Sequence, residues 1–439
     1  MEPWQFTATE AIAQFKNGSL TIEHYARSLL ARIAKRDDAV KAWAYLDPDY
    51  VIEQAKKLDE VPPEKRGLLH GVAIAVKDVI YTKDMPTQFN SPIYEGDAPK
   101  VDAASIITLR HAGALILGKT TTTEFASTTY GGKTSNAHDS TRTPGGSSSG
   151  SGAAVGDFQA PIGLGTQTGG STIRPGSYNG IYAFKPTWNS ISREGQKIYS
   201  LLFDTLGFYA RSVEDLQLLA DVFALEDDQP VKEPFEIKGA KFALLKTTVW
   251  PQVGPGTIAA MEHGANILRS HGAEVDEIEL PPEFSEAPEF HRILLHSEGR
   301  VSFLPEYRTA KEQLHPFLIG HVDNEHNISR AAQLKAFDGM AALRPKIDEI
   351  AGRYAAIVTP SVPDVAPVGL VTTGTAAFNS IWTAFHTPVT NIPGFKGEAD
   401  MPIGLSLVAP RYHDRHLLAV SKAVGSIFEA EGGWKRNNI

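Results

Sequence analysis

The chain has 439 residues, of which 42% are hydrophobic and 21% charged, with a formal net charge of -9 at pH 7 and no cysteine. That composition is ordinary for a globular protein, and the missing cysteine excludes disulfides, thiolate nucleophiles and cysteine-ligated metals. Net negative charge without a basic block argues against nucleic acid or an anionic membrane surface as the main partner.

The start, MEPWQFTATEAI, lacks the basic and apolar regions of a secretory signal. No stretch approaches the length needed to span a bilayer, so a cytoplasmic protein is expected. Residues 7–35 read as helices, with Thr7 and Glu10 as a capping box and Gly18-Ser19 as a break. Val72, Ile74 and Val76 alternate, which predicts a strand ending at Lys77. A helix over Asp102–Gly113 and a short buried strand over Ala114–Leu117 follow. Later come a helix over 211–226 started by Ser212, a strand over Lys241–Leu245 and a helix over Gly254–Gly272. Strands over Ala355–Thr359 and Ile403–Val408 and a closing helix over Asp414–Ala430 complete the pattern, while residues 281–330 resist assignment. The alternation favours an α/β class. With no linker and no repeat, one domain spans residues 1–439.

Two short motifs mislead. Gly113–Thr120 matches GxxxxGK[ST], but Ala-Leu-Ile-Leu fills the variable positions and a helix precedes them, so a core strand is the better reading than a phosphate loop. Gly146-Ser-Ser148-Ser-Gly150 matches GxSxG, but turn-like sequence precedes it where a nucleophile elbow needs a strand. The pairs His291/His296 and His321/His326 are five apart, not four, and read as surface or hydrogen-bonded core histidines with no metal.

The stretch from Arg142 to Thr187 holds two Gly-Gly-Ser turns, at Gly145-Gly146-Ser147 and Gly169-Gly170-Ser171. A flexible linker would not recur inside apolar sequence such as Ile162-Gly-Leu164 and Ile181–Phe184. Nucleophilic serine needs a base. Lysine serves when burial and positive neighbours favour its neutral form. Lys77, at the end of an apolar strand, is the best candidate.

The combination of VAIAVKD, SNAHDSTRTPGGSSSGSGAAVG, GLGTQTGGSTIRPGSYNGIYAFKPT and DTLGFYARSVEDLQLLADVF resembles the amidase signature family. The segment HTPVTNIPGF…MPIGLSLVAPRYHDRHLLAV is similar to its closing part. The resemblance is specific over about 69–225 and 380–425. It implies a single-domain α/β/α fold with a large mixed β-sheet covered by helices. It also implies a Ser–cis-Ser–Lys triad: Ser171 as nucleophile, Ser147 as bridge after a cis peptide, and Lys77 as base. Thr168, Gly169, Gly170 and Ser171 match the family's oxyanion hole. No metal or organic cofactor is implied.

Gln167, a candidate substrate-binding residue, stands where many members carry aspartate, a form most similar to malonamidase-like small-substrate amidases. Arg174 matches an arginine that binds a substrate carboxylate there, though tying down the loop is the favoured role. Phe378, Trp382 and Phe385, at near-helical spacing, are candidate walls of an acyl pocket, although such a stripe is more often core, and Tyr130 is another candidate wall. The expected reaction is hydrolysis of a non-peptide carboxamide through an acyl-enzyme. The alternatives are a carbamate (urethane) or ester hydrolase, and an ammonia-donating amidotransferase subunit. The expected partner is a small amide or carbamate, with no nucleic acid and no membrane; a homodimer is left open.

Overall fold

The computed structural model describes residues 1–436. Its frame is one mixed sheet of 11 strands. In chain order these are β1 (Trp43–Leu46), β2 (Ala73–Lys77), β3 (Leu115–Thr120), β4 (Ile162–Gln167), β5 (Tyr182–Lys185), β6 (Thr205–Ala210), β7 (Lys241–Leu245), β8 (Glu274–Ile278), β9 (Ala356–Pro360), β10 (Val389–Lys396) and β11 (Pro402–Val408). Across the sheet they run β1-β3-β2-β4-β6-β5-β10-β11-β9-β7-β8. The pairs β3–β2–β4 and β9–β7–β8 are parallel, and the centre of the sheet is antiparallel.

Helices cover both faces. On β2, Ile74 and Val76 join one apolar core while Ala73 and Ala75 join another on the opposite side. Ala356 and Val358 of β9 likewise face away from Ile357. The alternation in Val72–Val76 therefore marks two buried faces, and all five residues of β2 are buried. The expected α/β/α architecture is present. No helix among the described residues is long and apolar enough to cross a membrane.

Local signals place several helices. Thr7 and Glu10 bond reciprocally as a capping box, Thr7 N–H to Glu10 Oε2 at 2.8 Å and Glu10 N–H to Thr7 Oγ1 at 3.3 Å. Ser212 caps the helix Val213–Val222 by accepting the Asp215 N–H at 3.2 Å. The unread stretch 281–330 folds largely into the helices Ala287–Ser302, Leu304–Ala310 and Pro316–Asp323. The Gly113–Thr120 match lies across a turn and strand β3. Lys119, which a phosphate loop would aim at its ligand, is instead buried. It donates to the Ile80 carbonyl at 2.8 Å and pairs with Asp78 at 3.2 Å.

The Gly/Ser-rich segment is neither a linker nor an elbow. Ser149–Gly156 is a fully buried helix. Small residues let its backbone approach the sheet: a Cβ on Gly150 would sit 2.2 Å from the Ala42 carbonyl oxygen and 2.5 Å from the Thr121 nitrogen. Those neighbours are backbone and cannot swing away. Gly150→Ala is therefore expected to destabilise the fold by about 1–3 kcal/mol or more, as overpacked cores do, read as a lowered melting temperature.

Candidate active site

The two Gly-Gly-Ser turns and Lys77 converge. Strand β2 delivers Lys77 at its C-terminal end, its side chain fully buried. Its Nζ lies 2.8 Å from Ser147 Oγ, 2.9 Å from Ser148 Oγ and 2.8 Å from Thr166 Oγ1. Burial pushes the amine well below the ordinary lysine range; the Asp204 carboxylate opposes that shift and the Arg174 guanidinium adds to it. The Gly146–Ser147 peptide is cis, as the resemblance implied. Ser147 is 1% exposed and Ser171 9%, so Ser171 is the more accessible of the two hydroxyl candidates.

Ser171 sits at the end of the turn that follows β4. Among the described residues the backbone N–H groups of Gly169, Gly170 and Ser171 donate to no protein acceptor. Three neighbouring donors at one partly buried turn are thus free of protein acceptors among the described residues. The Ser171 carbonyl accepts from Tyr209 Oη at 3.1 Å and from the Ser148 N–H at 3.4 Å, tying the two turns together.

Arg174 is buried, and burial lowers its guanidinium to about 10. It donates to the Gly146 carbonyl and, at 3.3 Å, to Thr373 Oγ1. Arg174 thus ties down the loop that carries Ser147. Its Nε and Nη1 have no protein acceptor among the described residues.

Gln167 corrects the sequence reading. Its Oε1 accepts the N–H groups of Thr172 and Ile173 at 2.9 and 3.0 Å, and its Nε2 donates to Thr383 Oγ1 at 3.0 Å. Fully buried and engaged at both amide atoms, it shapes the start of the helix Ile173–Tyr178 and does not face a substrate. Trp382 and Phe378 are also corrected. They lie on the helix Ala377–Ala384 with no exposed surface, Trp382 packing beside Phe385 in a core. Their near-helical spacing marked a packed face, not a pocket wall. Tyr130 is 51% exposed and packs at a tilt against His315 with ring centroids 4.4 Å apart. It bridges to Thr372, beside the Thr373 that contacts Arg174.

Sequence reasoning missed four residues here. Ser148, set aside with the elbow motif, and Thr166 both touch Lys77. Asp204 accepts the Thr168 hydroxyl at 2.6 Å, and His291 donates from Nε2 to the Thr168 carbonyl at 3.0 Å. Ser148 and Thr166 were within reach as polar neighbours of the turn and strand already singled out. Asp204 and His291 carry no local signal, because only the fold brings them to residue 168.

The model of the family described as Amidase matches residues 25–418. The A component of a glutamyl-tRNA(Gln) amidotransferase from Symbiobacterium thermophilum is 38% identical over 288 residues, a match spanning 61% of this chain and 59% of that relative. The same component from Sulfurisphaera tokodaii is 28% identical over 94% of this chain and 96% of its own length. A crystal structure of an amidase superposes with a TM-score of 0.86 at 27% identity, covering 98% of this chain and all of that one. With a family model spanning nearly all of the sheet and a solved amidase sharing its whole architecture, the chain belongs to the amidase signature family.

Proposed function

We propose that the chain cleaves the C–N bond of a carboxamide through an acyl-enzyme on Ser171, with Ser147 and Lys77 relaying the proton. The observation that carries this reading is the buried Lys77 amine among three hydroxyls, beside a turn with three N–H groups that have no protein acceptor among the described residues. A neutral lysine has two N–H donors and one lone pair. Ser148 gives its own proton to the Thr166 carbonyl at 3.3 Å, so it accepts one N–H from Lys77. Thr166 Oγ1 takes the other, and the lone pair is left for the Ser147 hydroxyl.

In the forward step Ser171 Oγ bonds to the carbonyl carbon, its proton passes to Ser147, and the Ser147 proton passes to Lys77. The carbonyl oxygen becomes an oxyanion facing the N–H groups of the turn, each such donor being worth about 3–4 kcal/mol in a transition state. As the C–N bond breaks, the proton returns through Ser147 to the nitrogen, and ammonia or an amine leaves. Water then attacks the acyl ester by the same relay and frees Ser171.

The relatives' names support the amidotransferase reading over a free-standing hydrolase of non-peptide carboxamides. Each of those relatives is one component of a glutamyl-tRNA(Gln) amidotransferase. On that reading the amide is a primary carboxamide such as glutamine and the released ammonia is used by a partner protein. A panel of glutamine, simple amides, anilides and carbamates on the purified chain separates the readings. Feeble ammonia release from glutamine alone supports the amidotransferase component, and rapid turnover of other amides supports the free-standing hydrolase. Carbon dioxide from carbamates supports the urethanase, and turnover of none of the panel overturns amide hydrolysis by the chain alone.

A further inference from the structure

We propose that His291 is a positioning residue for the oxyanion turn: it fixes the direction of the Gly169 N–H by holding the carbonyl of the same peptide. The inference rests on the reading of Thr168–Ser171 as an oxyanion hole.

The geometry is simple. The described chain has cis peptides only at Gly146–Ser147 and Glu233–Pro234, so the Thr168–Gly169 peptide is trans. In a trans peptide the C=O and N–H point in opposite directions within one plane. His291 Nε2 lies 3.0 Å from the Thr168 oxygen. A carbonyl only accepts, so Nε2 carries the proton. Fixing that oxygen aims the Gly169 N–H the other way, where it meets no protein acceptor among the described residues. A turn through Gly169-Gly170 has little steric resistance to rotation of this peptide. Orientation must therefore come from outside the turn.

The hold has a second arm. Thr168 Oγ1 donates to Asp204 Oδ1 at 2.6 Å, and Asp204 Oδ2 accepts the N–H groups of Tyr199 and Ser200 at 2.7 and 3.1 Å. Ser200 Oγ in turn donates to Glu298, which also accepts the Leu202 N–H at 3.2 Å. His291 and Glu298 lie seven residues apart on the helix Ala287–Ser302, and so on one face of it. A single helix thus supports the carbonyl of Thr168 directly and its hydroxyl through a chain of hydrogen bonds.

His291 is buried and stacks on Phe203, centroids 4.7 Å apart at 26°. Burial lowers its pKa to about 4. The ring is neutral at neutral pH, and protonation would add a proton at Nδ1 while leaving the Nε2 donor in place. His291 acts through the peptide and needs no proton transfer of its own.

The test uses a fluorophosphonate, whose phosphorus bonds to the oxygen of an activated serine as the P–F bond breaks and fluoride leaves, while its phosphoryl oxygen takes the oxyanion position. The readout is the second-order rate of modification of Ser171 in the full chain, located by peptide mass. His291→Phe keeps the bulk and the stack but removes the donor, and is expected to slow modification ~10–100-fold, somewhat less than loss of an oxyanion donor itself. His291→Gln retains an N–H donor and is expected to recover most of the rate. His291→Met, close to Gln in length but without a donor in any protonation state, is expected to stay slow. This second pair decides the matter if the Phe variant melts early. Rates within twofold of wild type for Phe or Met, or equal slowing by Gln and Met, would overturn the proposal. If the wild-type protein is not modified at Ser171, the nucleophile reading fails first. If it is, and the His291 variants are indifferent, only the positioning role fails.

Discussion

Ser171→Ala is expected to abolish amide turnover, by on the order of 10⁴-fold or more, with the fold unchanged. The size follows from the acyl-enzyme chemistry: without Oγ no covalent intermediate forms, and only binding and the oxyanion donors remain to assist water. The stability cost is small because no protein group among the described residues hydrogen-bonds the Ser171 hydroxyl, and its carbonyl contacts to Tyr209 and Ser148 survive the substitution. The measurement is kcat on whichever amide the panel selects, with circular dichroism and melting temperature as the control. Hydrolysis within tenfold of wild type by a well-folded variant would remove Ser171 from the mechanism.

Lys77→Met is the second large effect. Methionine keeps the length of the buried chain, so packing around β2 is preserved better than with alanine. It supplies no lone pair of comparable basicity and no N–H for Ser148 and Thr166. A positioned general base contributes ~10²–10⁴-fold, and a loss of that order is expected in kcat. The pH dependence gives the sharper signature. Burial holds Lys77 well below the usual lysine range. The wild-type rate therefore falls as pH drops through that lowered pKa, where the amine gains a proton and its lone pair is lost. In the methionine variant that acid limb disappears from the residual rate. A limb that persists unchanged would belong to another group and would contradict the assignment of Lys77 as base.

The sequence carried the reacting groups more readily than their surroundings. Lys77 at a strand end and serines in repeated Gly-Gly-Ser turns are local patterns, and the family resemblance joined them. The central strands and the capping residues Thr7 and Ser212 were also readable, because alternation and caps act over a few residues. Gln167, Phe378 and Trp382 were misread for one physical reason. Polarity or spacing does not reveal whether a side chain's partners lie inside the protein, and here they do. The reading of His291 as a surface or hydrogen-bonded core histidine holds in its second form, but its partner, 123 positions away, carries no local signal. The Gly/Ser segment concealed a helix, since low helix propensity was overridden by the close approach to the sheet that small residues permit.

The strand order bears on how the protein is made. Strand β5 is complete at Lys185, but its outer neighbour β10 begins only at Val389. At ~5–20 residues per second, a ribosome needs on the order of 10 to 40 s to cross that interval. For that time the nascent β5 has one edge without its native partner, and an unpaired edge invites pairing with foreign strands. Slowing translation within this interval lengthens the time that edge stays open, which makes the pace of synthesis between the two strands part of what protects the fold.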